Sequence, residues 1–340
     1  SATLSGIALD PMALDPMALN AMAPSPMAPK PRPWISKGSG QRNRLAAALV
    51  GLLCMALVPA AQAQQNLTKP VLRLGAIPDQ NPEKLNRLYG LVANELSQQL
   101  KVPVRFIPVT DYTAAVSAFR TGNLDLVWFG GLTGVQAKLL KPGALMIAQR
   151  DIDAQFYSLF IANTSSGLKP IHNVKGLSEL KGKRFTFGSE SSTSGRLMPQ
   201  YFLSQAAVKL TDFAGGAPGF SGSHDATIAL VQSGAYEAGA VNEQVWKASL
   251  HNHKVDRSKV MVIWRTTPYA DYVWLAQPQL DQTFGKGFTT KLTKAILSWR
   301  TDDPEQKQIL KLFGAQQFTT VDVSNYKRIE QVGRQLGKIR

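Results

Sequence analysis

Three consecutive hydroxyls, Ser192-Thr193-Ser194, sit near the end of the segment Gly188-Ser189-Glu190-Ser191-Ser192-Thr193-Ser194-Gly195, between a predicted strand and a predicted helix. Free N–H groups and hydroxyls at a helix start attract an oxyanion, and the positive end of the helix dipole favours it. A cap needs only one hydroxyl. Three followed by glycine point to anion binding, with a Ser-rich surface loop as the plainer alternative. A second glycine-rich loop, Gly215 to Asp225, also leads into a helix, and its glycines permit close approach to a ligand. His224 could donate a ring N–H to an anion or stand as an ordinary cap-region histidine. Asp225 complements the helix dipole. Asp271, at the mouth of a predicted strand, would accept a hydrogen bond from a protonated oxyanion and repel a fully ionised one.

Other chemistries find little support. The chain has one cysteine, Cys54, and four histidines, so an internal disulfide and a cysteine-based zinc site are excluded. His251-Asn252-His253 has no carboxylate pattern beside it and reads as solvent-exposed. Ser178-Glu179-Leu180-Lys181 matches Ser-x-x-Lys without its companion motifs. No Gly-x-Ser-x-Gly, Walker loop or dinucleotide fingerprint occurs. The residues therefore describe a binding protein with no catalytic residues, no metal and no cofactor.

The elements that must position these residues alternate regularly. Val71 to Ile77 reads as a buried strand, and Asn81 to Leu100 repeats apolar residues at the helical period, with Asn81 as cap and Pro82 in the first turn. Val102–Pro108 (strand), Asp111–Arg120 (helix) and Leu124–Phe129 (strand) follow, and Gly130-Gly131 opens another helix to about Leu140. This order predicts a parallel open sheet flanked by helices. A second set contains strands at Phe156–Ala162, Arg184–Phe187, Ala238–Val241 and Val260–Trp264, and helices at Ser194–Gln205 and Ala226–Gln232. Tyr272–Ala276 reads as a strand returning to the first set, before helices at Phe284–Trp299 and Pro304–Phe313. Crossings near 163 and 272 give two α/β lobes around a cleft: 70–163, then 164–270, then 271–340. Small ligands bind in such clefts.

The first 63 residues do not belong to that fold. Residues 1–41 carry a degenerate Ala-Leu-Asp-Pro-Met repeat whose prolines oppose helix and sheet; the chain opens on Ser1, with Met22 and Met27 as candidate starts. Residues 42–63 hold a basic flank, an apolar run from Leu45 to Val58 and an Ala-x-Ala site, a secretory signal cut after Ala63. The run is too short for a spanning helix. Leu53 stands where a small residue would precede a lipidated cysteine, so Cys54 is expected to leave with the signal. The removed segment carries five Lys+Arg and two Asp+Glu, which takes the formal charge from +15 to +12 over 277 residues. Those cations are scattered, so they read as a solvated basic surface and not a nucleic-acid interface. A periplasmic monomer is the expectation.

From Leu72 to Leu312 the sequence resembles the phosphonate-type periplasmic substrate-binding proteins of ABC transporters, a group that includes phosphite binders and proteins labelled selenate binders. The resemblance rests on Asp111-Tyr112, Asp125 to Gly131, Lys181 to Phe185, Ser191 to Gly195, Gly222 to Ala226 and Pro268 to Tyr272. It implies a type II fold, two hinged lobes that close over an oxyanion and deliver it to an inner-membrane permease. Carried over by motif, Ser192, Thr193 and Ser194 would hold anion oxygens, with His224 and Asp271 opposite and Tyr112 lining the first lobe. Gly130, Phe156 and Tyr157 complete the expected set. Phe156 departs from a ligand tyrosine found in some phosphonate binders, and Gly131 stands where many members have proline. A periplasmic oxyanion sensor docking on a signalling receptor would share the same cleft.

Overall fold

The computed structural model describes residues 69–340. The repeat, the expected signal segment with its Ala63 site, and Cys54 lie outside them.

Strand β1 (Leu72–Ala76) buries Leu72, Leu74 and Ala76, and its carboxyl end leads through Asp79 into helix α1 (Pro82–Leu100). Asn81 caps α1 as expected, its side chain accepting from the N–H groups of Glu83 and Lys84 at 3.0 and 3.3 Å. The apolar stripe Leu85, Leu88, Val92, Leu96 and Leu100 is the face that α1 buries. Strand β2 (Val104–Phe106), helix α2 (Tyr112–Arg120), strand β3 (Leu126–Phe129), helix α3 (Gly131–Leu140) and strand β4 (Leu145–Arg150) complete the first run. The second lobe contains β5 (Ser158–Asn163), β6 (Phe185–Phe187), α4 (Met198–Gln205), β7 (Gly219–Phe220), α5 (His224–Gln232), β8 (Ala238–Asn242), α6 (Glu243–His251) and β9 (Val260–Arg265). Strand β10 (Val273–Ala276), helices α7 (Leu280–Phe284), α8 (Phe288–Leu297) and α9 (Pro304–Phe313), strand β11 (Phe318–Thr319) and helix α10 (Lys327–Gln335) follow.

The strands form two sheets. The first, in the order β11-β4-β10-β3-β1-β2, is mixed and not parallel as the element order predicted. β1 pairs parallel with β2 and β3, but β10 arrives from the other lobe and inserts antiparallel between β3 and β4. The second sheet, β7-β6-β8-β5-β9, is also mixed, with β5 antiparallel to β8 and β9. Because β5 belongs to this sheet, the first crossing lies at Phe156–Tyr157 and not near 163. The second lies between Arg265, the end of β9, and Val273, the start of β10. The two crossing segments pair with each other: Phe156 and Tyr269 exchange backbone hydrogen bonds of 2.7 and 3.0 Å.

Two helix assignments change. The helix expected at Ser194–Gln205 begins as a wide π turn, Thr193–Leu197, before α4. Pro199 has no N–H for the Gly195 carbonyl, and Gly188 N–H bonds to that carbonyl at 2.9 Å instead. The loop from Gly188 to Gly195 is thereby tied into a ring. The helix expected at Phe284–Trp299 begins only at Phe288, as α8; Phe284 ends the separate helix α7, and Gly285 and Gly287 at positive φ interrupt the chain between them. Aromatic layers fill both lobes: Tyr89, Trp128, Trp274, Phe313 and Phe318 in the first, and Phe160, Phe185, Phe187, Phe213 and Trp264 in the second. No helix among the described residues is long and apolar enough to cross a membrane.

Candidate functional site

The amino ends of α3 and of the Thr193 turn meet between the lobes. Gly130 precedes α3 without a side-chain cap. Two of the first N–H groups of α3 find partners from elsewhere: Gly131 N–H donates to Asp271 Oδ1 and Leu132 N–H to Thr193 Oγ1, both at 2.9 Å. A β-carbon at Gly130 would lie 3.1 Å from Thr193 Oγ1 and 3.4 Å from Asp271 Oδ1. Glycine is what lets these groups close on the helix end. The same closeness holds at Gly131, where a β-carbon would stand 3.1 Å from the Ala270 carbonyl oxygen. The Gly130-Gly131 loop is therefore packed against the crossing strand. A proline at 131 would also have no N–H for Asp271.

Ser192, Thr193 and Ser194 are all buried at this junction. Ser192 Oγ accepts from Gly195 N–H at 2.9 Å, and the Tyr112 hydroxyl faces Ser192. Thr193 and Ser194 hold the first two positions of the turn, whose N–H groups have no partner within a helix by construction. Ser194 is fixed from behind, its carbonyl accepting from Ser158 Oγ at 2.6 Å, and Ser158 Oγ also meets Tyr269 Oη at 2.6 Å. A β-carbon at Gly195 would be 2.9 Å from Ser192 Oγ and 3.1 Å from His224 Cε1, so this glycine brings the serine turn and the histidine together.

His224 is wholly buried, and burial pushes its pKa down to about 3, so the ring is neutral. Its Nδ1 accepts from Asn242 N–H at 3.3 Å, which leaves the proton on Nε2, 3.4 Å from Tyr272 Oη. Tyr272 donates to Asp79 Oδ2 at 2.8 Å and accepts from Asn242 Nδ2 at 2.9 Å. Burial raises Asp79 to about 6 against the lowering by Tyr272, and raises Asp271 to about 7 against the lowering by Gly131 N–H. Asp79 Oδ1, Asp271 Oδ2 and the Tyr112 hydroxyl are buried without a hydrogen-bond partner.

A buried cation supports these acids. Arg150 is held by Asp153 at 2.8 and 2.6 Å and by the Phe313 carbonyl at 2.7 Å, and it lies over the rings of Trp128, Phe156 and Tyr272. Its charge lowers the pKa of both Asp79 and Asp271. The arrangement can hold an oxyanion, with hydroxyls and turn N–H groups as donors and Asp271 Oδ2 as an acceptor for a protonated oxygen. It contains no nucleophile activated by a base.

Of the expected residues, Ser192, Thr193, Ser194, Tyr112, Gly130, His224 and Asp271 converge. Phe156 sits behind them, with its ring edge-on to Tyr272 at 5.6 Å. Tyr157 does not join. Its ring lies 3.4 Å under the Arg265 guanidinium, which pairs with Glu243. Sequence reading missed Asp79, Asn242, Tyr272 and Arg150. Asp79 had a signal, since it follows the carboxyl end of β1, where ligands of α/β sheets bind. Among the described residues no group of three His, Cys, Asp or Glu side chains is placed to hold a metal ion.

Comparison with known proteins gives one family. Residues 74–326 match the model described as ABC transporter, phosphonate, periplasmic substrate-binding protein. A probable ABC transporter phosphite binding protein of Prochlorococcus marinus is 54% identical over 270 residues, 79% of this chain and 91% of that one. The crystal structure of a Prochlorococcus marinus protein in complex with methylphosphonate has 54% identity, a TM-score of 0.78 and coverage of 79% and 99% of the two chains. A phosphonates-binding periplasmic protein of Escherichia coli is 24% identical over 274 residues, 76% of this chain and 74% of that one.

Proposed function

This chain belongs to the phosphonate-type periplasmic substrate-binding proteins of ABC transporters, non-enzymatic proteins, and on that premise we propose that its inter-lobe site captures phosphite or a small alkylphosphonate for the permease. The observation that carries the reading is the meeting of the Ser192–Ser194 turn, Tyr112 and Asp271 across the lobe junction. Three oxygens of a tetrahedral phosphorus would take the hydroxyls and turn N–H groups, and Asp271 Oδ2 would accept from a protonated oxygen. The fourth substituent, hydrogen or methyl, would need no polar partner. The 54% relatives named for phosphite and solved with methylphosphonate support this choice over selenate or selenite.

Calorimetric titration of the secreted form, beginning after Ala63, with phosphite, methylphosphonate, phosphate, sulfate, selenite and selenate tests the reading. Phosphite and methylphosphonate should bind at least tenfold more tightly than sulfate or selenate. Tighter binding of a selenium oxyanion would redirect the assignment, and binding of none would end it.

A further inference from the structure

Three groups converge on the buried Tyr272 hydroxyl, and their roles follow from the other bonds they make. Asn242 Oδ1 accepts from Val245 N–H at 2.8 Å where it caps α6, so the amide turns its Nδ2 toward Tyr272 Oη, 2.9 Å away. His224 Nδ1 accepts from Asn242 N–H at 3.3 Å, so Nε2 carries the ring proton and faces Oη at 3.4 Å. Both groups are donors. A phenol oxygen has two lone pairs and one hydrogen, so the Tyr272 hydrogen goes to the third neighbour, Asp79 Oδ2, at 2.8 Å.

These partners divide between the lobes. Asp79 follows β1 and Tyr272 immediately precedes β10, both strands of the first sheet, whereas Asn242 ends β8 and His224 opens α5 in the second lobe. The bonds from Asn242 and His224 are therefore made across the junction, while the bond between Tyr272 and Asp79 is not. A carboxylate that holds the hydroxyl hydrogen leaves both lone pairs to the opposite lobe and strengthens the oxygen as an acceptor. Without it, the hydrogen would stand as a buried donor among donors, which opposes closure. The Asp79 backbone carbonyl accepts from His224 N–H at 2.9 Å whatever the side chain, so the part played by the carboxylate is separable by substitution.

We propose that Asp79 is a positioning residue of the oxyanion site. By taking the Tyr272 hydrogen it makes that oxygen an acceptor for Asn242 and His224, and so holds the second lobe, with its serine turn, closed over the ligand. Asp79 acts through Tyr272 and not on the ligand. The inference rests on the oxyanion reading above.

A double-mutant cycle between Asp79→Ala and Tyr272→Phe tests this. It is run at pH 8, above the value of about 6 to which burial raises Asp79, a carboxyl also reached by the charges of Lys84, Arg150 and Asp225. Methylphosphonate affinity is measured by calorimetry, dissociation by stopped flow, and the stability of each free protein by thermal unfolding. Asp79→Ala should weaken binding at least tenfold, nearly all of it as faster dissociation, because bonds made on closing retain a ligand already inside. Asp79→Asn, which still offers Tyr272 an oxygen, should recover most of that loss. Tyr272→Phe should weaken binding to a similar degree, and adding Asp79→Ala to it should change affinity by less than twofold. Asp79→Leu, similar in shape and without an acceptor, repeats the comparison, so the result does not depend on one variant folding. Losses that multiply in the double variant would overturn the proposal by placing Asp79 on the ligand itself. A lower melting temperature with the parent's dissociation rate would also overturn it, by making Asp79 a purely structural group. A parent protein that binds no oxyanion would instead refute the transport reading.

Discussion

Asp271 is the side chain on which pH acts most directly. Its pKa stands near 7 against an ordinary 3.8, chiefly through burial. Between those values the folded chain holds a proton that the unfolded chain has released, so stability falls as pH rises through this window and is flat above it. Asp271→Asn keeps an oxygen for Gly131 N–H and removes the buried charge. Each tenfold change in proton affinity is worth about 1.4 kcal/mol. The variant should therefore gain about 1–4 kcal/mol of stability above pH 7 on that scale, and change little near pH 4. Thermal unfolding at pH 4, 6 and 8 checks this; a uniform change at all three would remove the titration from the explanation. Binding carries the opposite sign, because Asp271 Oδ2 accepts a ligand proton only once ionised. Parent affinity for methylphosphonate should rise as pH climbs towards 7 and the carboxylate forms, and the variant should lose that rise. Tyr112 gives the complementary case. Its buried hydroxyl lacks a geometric partner, and such a group costs free energy until something accepts or donates to it. Tyr112→Phe should leave the melting temperature unchanged or slightly higher while weakening methylphosphonate binding about tenfold, the scale of one hydrogen bond to a charged group. Equal binding by both proteins would take Tyr112 out of the ligand set.

The same residues act only because particular elements hold them, and the Gly188–Gly195 ring is the most constrained. Gly195→Ala would push a β-carbon to 2.9 Å from Ser192 Oγ, 3.1 Å from His224 Cε1 and 3.3 Å from Gly188 Cα. Overpacking of this kind costs about 1–3 kcal/mol. Calorimetry should also show at least a tenfold loss of affinity, because the serine turn and His224 must separate. A variant with full stability and affinity would show that the ring tolerates opening. This element illustrates what the sequence made legible. Three hydroxyls before a glycine marked the turn, but its π geometry depends on Pro199 leaving the Gly195 carbonyl to Gly188, a contact seven residues apart. Asn81 and Pro82 announced α1, and the apolar runs announced β1 and β3. Strand β4 did not stand out, since its buried end is Gln149 and Arg150, polar residues whose burial depends on the Tyr326 hydroxyl for the first and on Asp153 and the Phe313 carbonyl for the second. The antiparallel entry of β10 and the placement of β5 in the second sheet are set by pairing across long stretches of chain, which local periodicity does not encode. Asp79, Asn242 and Tyr272 were hidden for the same reason, their hydrogen bonds joining positions up to 193 apart in the chain.

On the scale of the molecule, capture depends on how firmly the lobes hold one another, and among the described residues three hydrogen bonds outside the crossing strands span the junction. Leu132 N–H donates to Thr193 Oγ1, His224 N–H to the Asp79 carbonyl at 2.9 Å, and Asn81 N–H to Asp225 Oδ2 at 2.6 Å. The first two lie within the oxyanion site, so changing them alters ligand contacts and closure together. The third lies at the rim, where Asp225, whose charge also reaches Asp79, touches the other lobe through a backbone donor. Removing it should lower the fraction of molecules with the lobes together, and apparent affinity falls in proportion to that fraction. At an exposed rim such a bond is worth about 0.5–1.5 kcal/mol, so Asp225→Ala should weaken methylphosphonate binding about 2–10-fold. The change should appear mainly as faster dissociation, because interactions formed on closing retain a ligand already inside. Asp225→Asn, which still offers an oxygen to Asn81 N–H and keeps a polar residue in the first turn of α5, should stay close to the parent. Small-angle scattering of the free proteins should show a larger radius of gyration for the alanine variant than for the asparagine variant, with the difference abolished by saturating methylphosphonate. Equal dissociation rates for the alanine variant and the parent would mean that the rim bond contributes nothing to closure, and retention would then rest on the buried Thr193 and His224 contacts alone.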